Sequence, residues 1–180
     1  LTVAINQQNP DIVFAGSASG GLWKSTTGGT GALAWTRVET GYPVLGVSAI
    51  ALNPENQDEM YIGTGERYGF SSTMPGVYDR RSRGSFGIGI LKSLDGGATW
   101  QPSLDWSLSE QRTVQKIRID PTDGQSLWAA TSEGVYKSSD AGATWQQSLD
   151  VVMATDIAIH PVDSDTVLAA CGGLGSPGHG

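Results

Sequence analysis

The feature that most constrains this chain is a motif of eight residues that occurs twice. Ser93-Leu94-Asp95-Gly96-Gly97-Ala98-Thr99-Trp100 returns 45 residues later as Ser138-Ser139-Asp140-Ala141-Gly142-Ala143-Thr144-Trp145. A degenerate copy runs from Ser25-Thr26-Thr27-Gly28-Gly29 to Trp35, with extra residues before the tryptophan. Each copy follows a similar apolar run, GGLWKS, GILKS or GVYKS, ending at Ser25, Ser93 or Ser138. A fixed period of this size implies one supersecondary unit per repeat, each burying its apolar face against the next.

A second anchor recurs along with it, at intervals of 44, 67 and 40 residues. The runs VAINQQNPDIVFAGS, AIALNPENQDEMYIGTG, KIRIDPTDGQSLWAATS and DIAIHPVDSDTVLAAC each alternate apolar and polar residues and then stop at Pro10, Pro54, Pro121 or Pro161. Each turns through polar residues into a second apolar run. Proline has no N–H to give to a ladder, so it ends strand pairing. One unit is therefore strand A, proline turn, strand B, connection, strand C, Asp-containing turn and strand D, with no sustained helical period. Four short strands per unit of about 40–50 residues define a β-propeller blade, and the 25 glycines fit many tight turns. The expected fold is all-β, an incomplete β-propeller of about three and a half four-stranded blades. Blade 1 is expected over about 1–40, blade 2 over about 45–105 with an inserted loop at 66–88, blade 3 over about 113–150, and the start of a fourth over about 154–180. The remaining blades are expected from the same polypeptide.

Within the motif, each residue type has a task. Asp95 and Asp140 sit at a hairpin tip, where a carboxylate accepts N–H bonds from its own turn. Gly97 and Gly142 supply positive φ. Trp100 and Trp145 open strand D and are expected to be largely buried as wedges between blades. Ser93, Thr99, Ser138 and Thr144 complete the structural set.

These residues resemble the Asp-box (BNR) repeat of sialidases, sortilin-type receptor domains, xyloglucanases and propellers like the photosystem II assembly factor. The run AIALNP…YIGTGE…GILKSLDGGATW looks most like sortilin-type and glycosyl-hydrolase-like repeat proteins that bacteria export. The resemblance implies an extracellular or cell-surface location. It implies three possible roles: a non-catalytic scaffold binding glycan or protein, a fragment of a glycoside hydrolase with its catalytic carboxylates outside this segment, or a protein-binding assembly factor. Sialidases use three arginines from separate blades and an Arg-Ile-Pro start, and the latter is missing here.

Propeller connectivity puts A–B and C–D turns on one end of the blades and B–C and D–A connections on the other. One B–C connection stands out. Pro54 and Pro121 are 67 residues apart, against 44 and 40 for the neighbouring intervals, because blade 2 inserts GERYGFSSTMPGVYDRRSRGSFGI where blade 3 has Ser132-Glu133-Gly134. The insert gathers Glu66, Arg67, Tyr68, Phe70, Tyr78, Asp79, Arg80, Arg81 and Arg83, four of the chain's eleven basic residues among them. Arginine forks with aromatic faces suit a carboxylate or a sugar ring. The competing view is a long loop held by its own Arg–Asp pairs.

Other chemistry finds little footing. Glycosidases need two facing carboxylates; Glu66, Asp79, Asp105 and Glu110 lie on the insert's end, but nothing pairs them, so no catalytic residue is assigned. His160 occupies the place of Asn53 and Asp120 and is expected to be a turn residue; with His179 isolated, no metal or cofactor is expected. A net charge of -7 disfavours nucleic acid, and the apolar runs are too short for membrane insertion. Cys171, in an apolar run, is expected to pack as a strand residue.

Overall fold

The computed structural model of the chain describes residues 2–44, 46–66, 69–74, 77–81, 86–108 and 112–172. Among these there is no helix, and the strands group into antiparallel sheets of the expected propeller type. Blade 1 is built in sequence order from β1 (Thr2–Ile5), β2 (Val13–Gly16), β3 (Leu22–Ser25) and β4 (Trp35–Val38). Blade 2 uses β5 (Val47–Leu52) and β6 (Met60–Thr64), then is interrupted by the separate hairpin β7 (Gly69–Met74) and β8 (Val77–Arg81). It resumes with β9 (Gly89–Ser93) and β10 (Gln101–Asp105). Blade 3 comprises β11 (Val114–Asp120), β12 (Asp123–Thr131), β13 (Gly134–Ser138) and β14 (Gln146–Leu149), and β15 (Ala154–Ile159) pairs with β16 (Val167–Cys171).

The core lies between the sheets. Phe14 and Leu22 of blade 1 pack with Val47, Met60, Ile62 and Leu91 of blade 2. Tyr61 and Ile90 of blade 2 pack with Val114, Ile117, Leu127 and Ala129 of blade 3. Trp128, Ala130 and Val135 then pack with Ala154 and Ile157 of the last pair. Each sheet therefore buries its apolar faces only through its neighbours, which is why the sequence carries the repeat. The first strands β1, β5, β11 and β15 touch in succession along the inner side, leaving β4, β10 and β14 outermost.

The two ends of the blades differ as the connectivity requires. At one end each A–B turn receives an N–H from the C–D turn of its own blade: Gly28 to Asp11, Gly96 to Asp58 and Ala141 to Gln125, at 2.8–2.9 Å. The proline-anchored turns are closed by the residue before the proline. Asn53 Oδ1 accepts from Glu55 N, Asp120 Oδ1 from Thr122 N and His160 Nδ1 from Asp163 N. His160 is thus a turn residue, as its register predicted.

The Ser-x-Asp-x-Gly-x-Thr-Trp turns agree bond for bond. Asp95 Oδ1 accepts Thr99 N at 2.8 Å and Oδ2 accepts Thr99 Oγ1 at 2.6 Å; Asp140 treats Thr144 identically. Hydrogen bonds from the Thr99 hydroxyl, Thr99 N–H and Ser93 hydroxyl hold the Asp95 carboxyl down to about 2, and the equivalent bonds do the same for Asp140. Ser93 is the buried centre of the turn, its Oγ accepting Gly97 N at 2.9 Å while donating to Asp95. Gly97 holds φ at +88°, and a Cβ there would press on Phe14 and Trp100 at 3.4 Å.

Two expectations need correcting. Trp100 and Trp145 are only partly buried, because they lead into the outermost strands and keep solvent on one side. Strand D begins one residue after the tryptophan, at Gln101 and Gln146, the tryptophans belonging to the turns.

Candidate functional site

The insert leaves β6 and returns to β9 at the end opposite the C–D turns, and its base is tightly built. Thr64 Oγ1 accepts Ile88 N at 2.8 Å and donates to Gly89 O at 2.7 Å, locking departing and returning strands together. Gly65 has φ +91°, and a Cβ there would come within 2.7 Å of Gly87 N and 2.8 Å of Thr113 Cγ2. No other residue fits that crossing. Gly87 in turn bridges to Arg112, its N–H bonded to Arg112 O at 3.1 Å, which ties the insert to the start of blade 3.

Above this base the insert is not a plain loop. Its backbone forms an antiparallel hairpin in which Phe70 is paired with Arg80, Gly69 with Arg81, Ser71 with Asp79 and Ser72 with Tyr78. The two runs GFSSTM and VYDRR carry little alternation of apolar and polar residues, and Pro75-Gly76 between them was the one turn signal in the sequence. Tyr78, Asp79, Arg80 and Arg81 thus fall on one strand, β8. Glu66 sits half-buried just past β6. Arg67, Tyr68 and Arg83 lie outside the described residues, as does Glu110.

Three residues that the sequence did not single out stand beside the insert's base. Trp106 is buried, its backbone N–H bonded to Ile88 O at 2.9 Å, with the Arg112 guanidinium 5.3 Å from its ring centroid. Tyr136 meets the same indole edge to face, centroids 5.5 Å apart. Burial, partly offset by the charge of Arg112, raises the Tyr136 phenol. These residues come from a D–A connection, the bridge before β11 and strand β13, and only the fold brings them together. Phe86, which adjoins Gly87 at the insert's base, is 48% exposed. Asp105 is occupied locally: its carboxylate accepts Ser107 N at 2.9 Å, and that bond holds its pKa below the usual value. Among the described residues, no group of three or more His, Cys, Asp or Glu is placed to hold a metal ion.

No known family model matches the chain, and no curated protein sequence matches it. Solved structures do. A GH74 enzyme from Niastella koreensis is 22% identical with a TM-score of 0.66, over 93% of this chain and 24% of its own length. An ancestral GH74 enzyme is 21% identical with a TM-score of 0.60, over 89% of this chain and 20% of its own length. The chain thus spans about a fifth to a quarter of these proteins. Similarity at this level defines the class as a β-propeller and nothing narrower.

Proposed function

We propose that this chain is part of a non-catalytic β-propeller scaffold, of the Asp-box type and exported by a bacterium, that binds an acidic glycan or an acidic protein segment on the insert's end. The observation that carries the proposal is the β7–β8 hairpin. One blade raises a paired strand bearing Tyr78, Asp79, Arg80 and Arg81 at the end where the next blade crosses with Ser132, Glu133 and Gly134 alone. Ordering such a segment costs conformational entropy that a bare connection avoids, and its guanidinium groups suit bidentate bonds to carboxylates. The Asp-box assignment rests on the two identically bonded turns. The export assignment rests on the sequence resemblance alone.

The test is binding of the full-length protein to an array of acidic and neutral glycans and to acidic peptides. Replacing Arg80, Arg81 and Arg83 with alanine should weaken binding at least about tenfold, because charge-assisted bonds are lost. The melting temperature should not change. Equal binding by the triple variant would overturn the placement of the site. Release of new reducing ends from a bound polysaccharide would overturn the non-catalytic assignment in favour of a glycoside hydrolase.

A further inference from the structure

At the insert's end, the seam between blades 2 and 3 departs from the repeat a second time. Leu104-Asp105 aligns with Leu149-Asp150, so Trp106 stands where blade 3 has Val151. Blade 3 then reaches Met153, whose carbonyl accepts Gly172 N, through Val151 and Val152 alone. The equivalent residue after blade 2 is Thr113, whose carbonyl accepts Ser132 N, and the run leading to it is longer, from Trp106 to Arg112. The Gly87–Arg112 bridge joins this irregular connection to the other one, the insert. Both sheets that flank the seam are described with all four of their strands.

Together these segments fix a cation beside a phenol. The bridge holds the Arg112 backbone, and the guanidinium lies over the Trp106 ring. Such a contact uses the π-face of the indole and none of the five N–H donors. Tyr136 is set by its edge-to-face contact with the same indole, and the charge of Arg112 reaches its phenol. Among the described residues, neither the guanidinium nor the hydroxyl has a hydrogen-bond or ion-pair partner. Both residues are only half-buried, which leaves them open to a ligand. Donors of this kind around one indole call for an acceptor with negative charge.

We infer that Arg112 and the Tyr136 hydroxyl hold the carboxylate of a uronic-acid residue in a bound glycan. The inference rests on the insert's end being the binding face, and it narrows the ligand there. The charges of Glu133 and Asp150 also bear on Tyr136, with the opposite sign to Arg112. They repel a run of carboxylates but accept hydrogen bonds from hydroxyl groups. A pyranose ring carrying one carboxylate among several hydroxyls meets both demands, and an acidic peptide does not. Phe86, exposed just before the bridge, offers an apolar surface to the sugar ring.

The test is titration of the full-length protein with oligosaccharides of galacturonic, glucuronic, mannuronic and guluronic acid, with their methyl esters, and with hexaglutamate. At least one of the free acids should bind, more tightly than its ester and than hexaglutamate. Arg112→Met should weaken that binding about tenfold and Tyr136→Phe about threefold, following the size of charged and neutral hydrogen bonds. Arg112→Lys should not restore it, because an ammonium lacks the fork of donors. Methionine keeps an apolar stem on Trp106 and phenylalanine keeps the edge-on ring, so both variants should melt with the parent. Binding of no uronic acid overturns the inference, as does equal affinity in Arg112→Met and Tyr136→Phe. So does hexaglutamate binding as tightly as the sugars and with the same dependence on Arg112. Loss of binding in the Arg80, Arg81 and Arg83 variant but not in Arg112→Met sinks this inference and leaves the insert as the site. The reverse pattern removes the insert and supports Arg112.

Discussion

The seam between blades 1 and 2 and the seam between blades 2 and 3 solve one packing problem with different chemistry. In the first, Phe14, Met60, Val38 and Trp100 make an apolar contact, and Trp100 Nε1 is satisfied by its own turn through Gly97 O at 3.1 Å. In the second, Tyr61 replaces Phe14 and Glu59 replaces Ile12. The Glu59 carboxylate accepts Lys92 Nζ at 2.7 Å and Asn53 Nδ2 at 2.9 Å, and lies 2.6 Å from the Tyr61 hydroxyl. That hydroxyl also lies 2.8 Å from Ala141 O, across the seam. Burial pushes the Glu59 carboxyl up, but the bonds from Lys92, Tyr61 and Asn53 outweigh it and leave it below the usual range. Burial together with the Glu59 charge raises the Tyr61 phenol. The common element is the strand-C lysine with its aromatic, Lys24 over Phe14 donating to Gly96 O and Lys92 over Tyr61 donating to Ala141 O; the apolar and polar surroundings are interchangeable solutions around it.

The sharpest way to break this comparison is to remove one side of the buried pair. Glu59→Ala should cost about 3 kcal/mol, because the Lys92 ammonium, mostly shielded from solvent, loses its carboxylate. The double change Glu59→Leu with Lys92→Met, which makes the second seam apolar, should recover most of the loss. Urea unfolding of the three chains decides it. A loss below about 1 kcal/mol for Glu59→Ala would mean that the network adds nothing to the seam.

A smaller effect tests the turns. Ser93→Ala and Ser138→Ala each leave a buried glycine N–H without its acceptor and should cost about 1–3 kcal/mol. Ser25→Ala should cost about as much, although its turn has Thr27 where the others have aspartate, because Ser25 Oγ accepts Gly29 N at the same 2.9 Å. A neutral Ser25→Ala with a damaging Asp95→Ala would return the central role to the carboxylate.

What could be read from the sequence was what the chain states more than once. The proline anchors, the lysine-serine ends of strand C and the turn motif fix the strands, because each copy repeats the pattern at the same register. Within the motif the reading gave the aspartate the leading role. It placed Ser93 and Ser138 in the structural set without giving them a task, since an exposed carboxylate and a buried hydroxyl look equally regular in one dimension. The lysines were aligned but not assigned, because their partners lie a blade away. Glu59 occurs once, so nothing marked it. The insert was located by excess length alone; its hairpin and the Trp106–Arg112–Tyr136 contact have no counterpart in another blade to reveal them.

Acid should weaken the molecule through the same groups. Asp95 and Asp140 titrate near 2 when folded, against an ordinary value of 3.8, and Glu59 is lowered from 4.5. Groups with depressed folded values add stability above their unfolded pKa and lose it as the folded values are crossed. Stability should therefore hold above pH 5 or so and fall steadily from there to about pH 2. Changing both aspartates to alanine should flatten the lower part of that fall. An unchanged slope in the double variant would show that the exposed turn carboxylates do not couple to folding.

The smallest expected effect separates the seams most finely. Trp145 reaches across to Ser103, whereas Trp100 turns to its own Gly97 carbonyl and packs against the same apolar cluster as Val38. In Ser103→Val the hydroxyl that holds both Gly142 O and Trp145 Nε1 is gone, but the two groups it leaves are complementary. The indole N–H has only to turn onto the freed Gly142 carbonyl, reproducing the arrangement of the first seam, so no buried donor is stranded. The loss should stay below about 1 kcal/mol, the scale of one neutral hydrogen bond. The added methyl groups should pack as Val38 does. A crystal structure of the variant would show Trp145 Nε1 within bonding distance of Gly142 O. An indole left unpaired, or a loss like that of Ser93→Ala, would mean that the second seam has been shaped around its serine and is not exchangeable with the first.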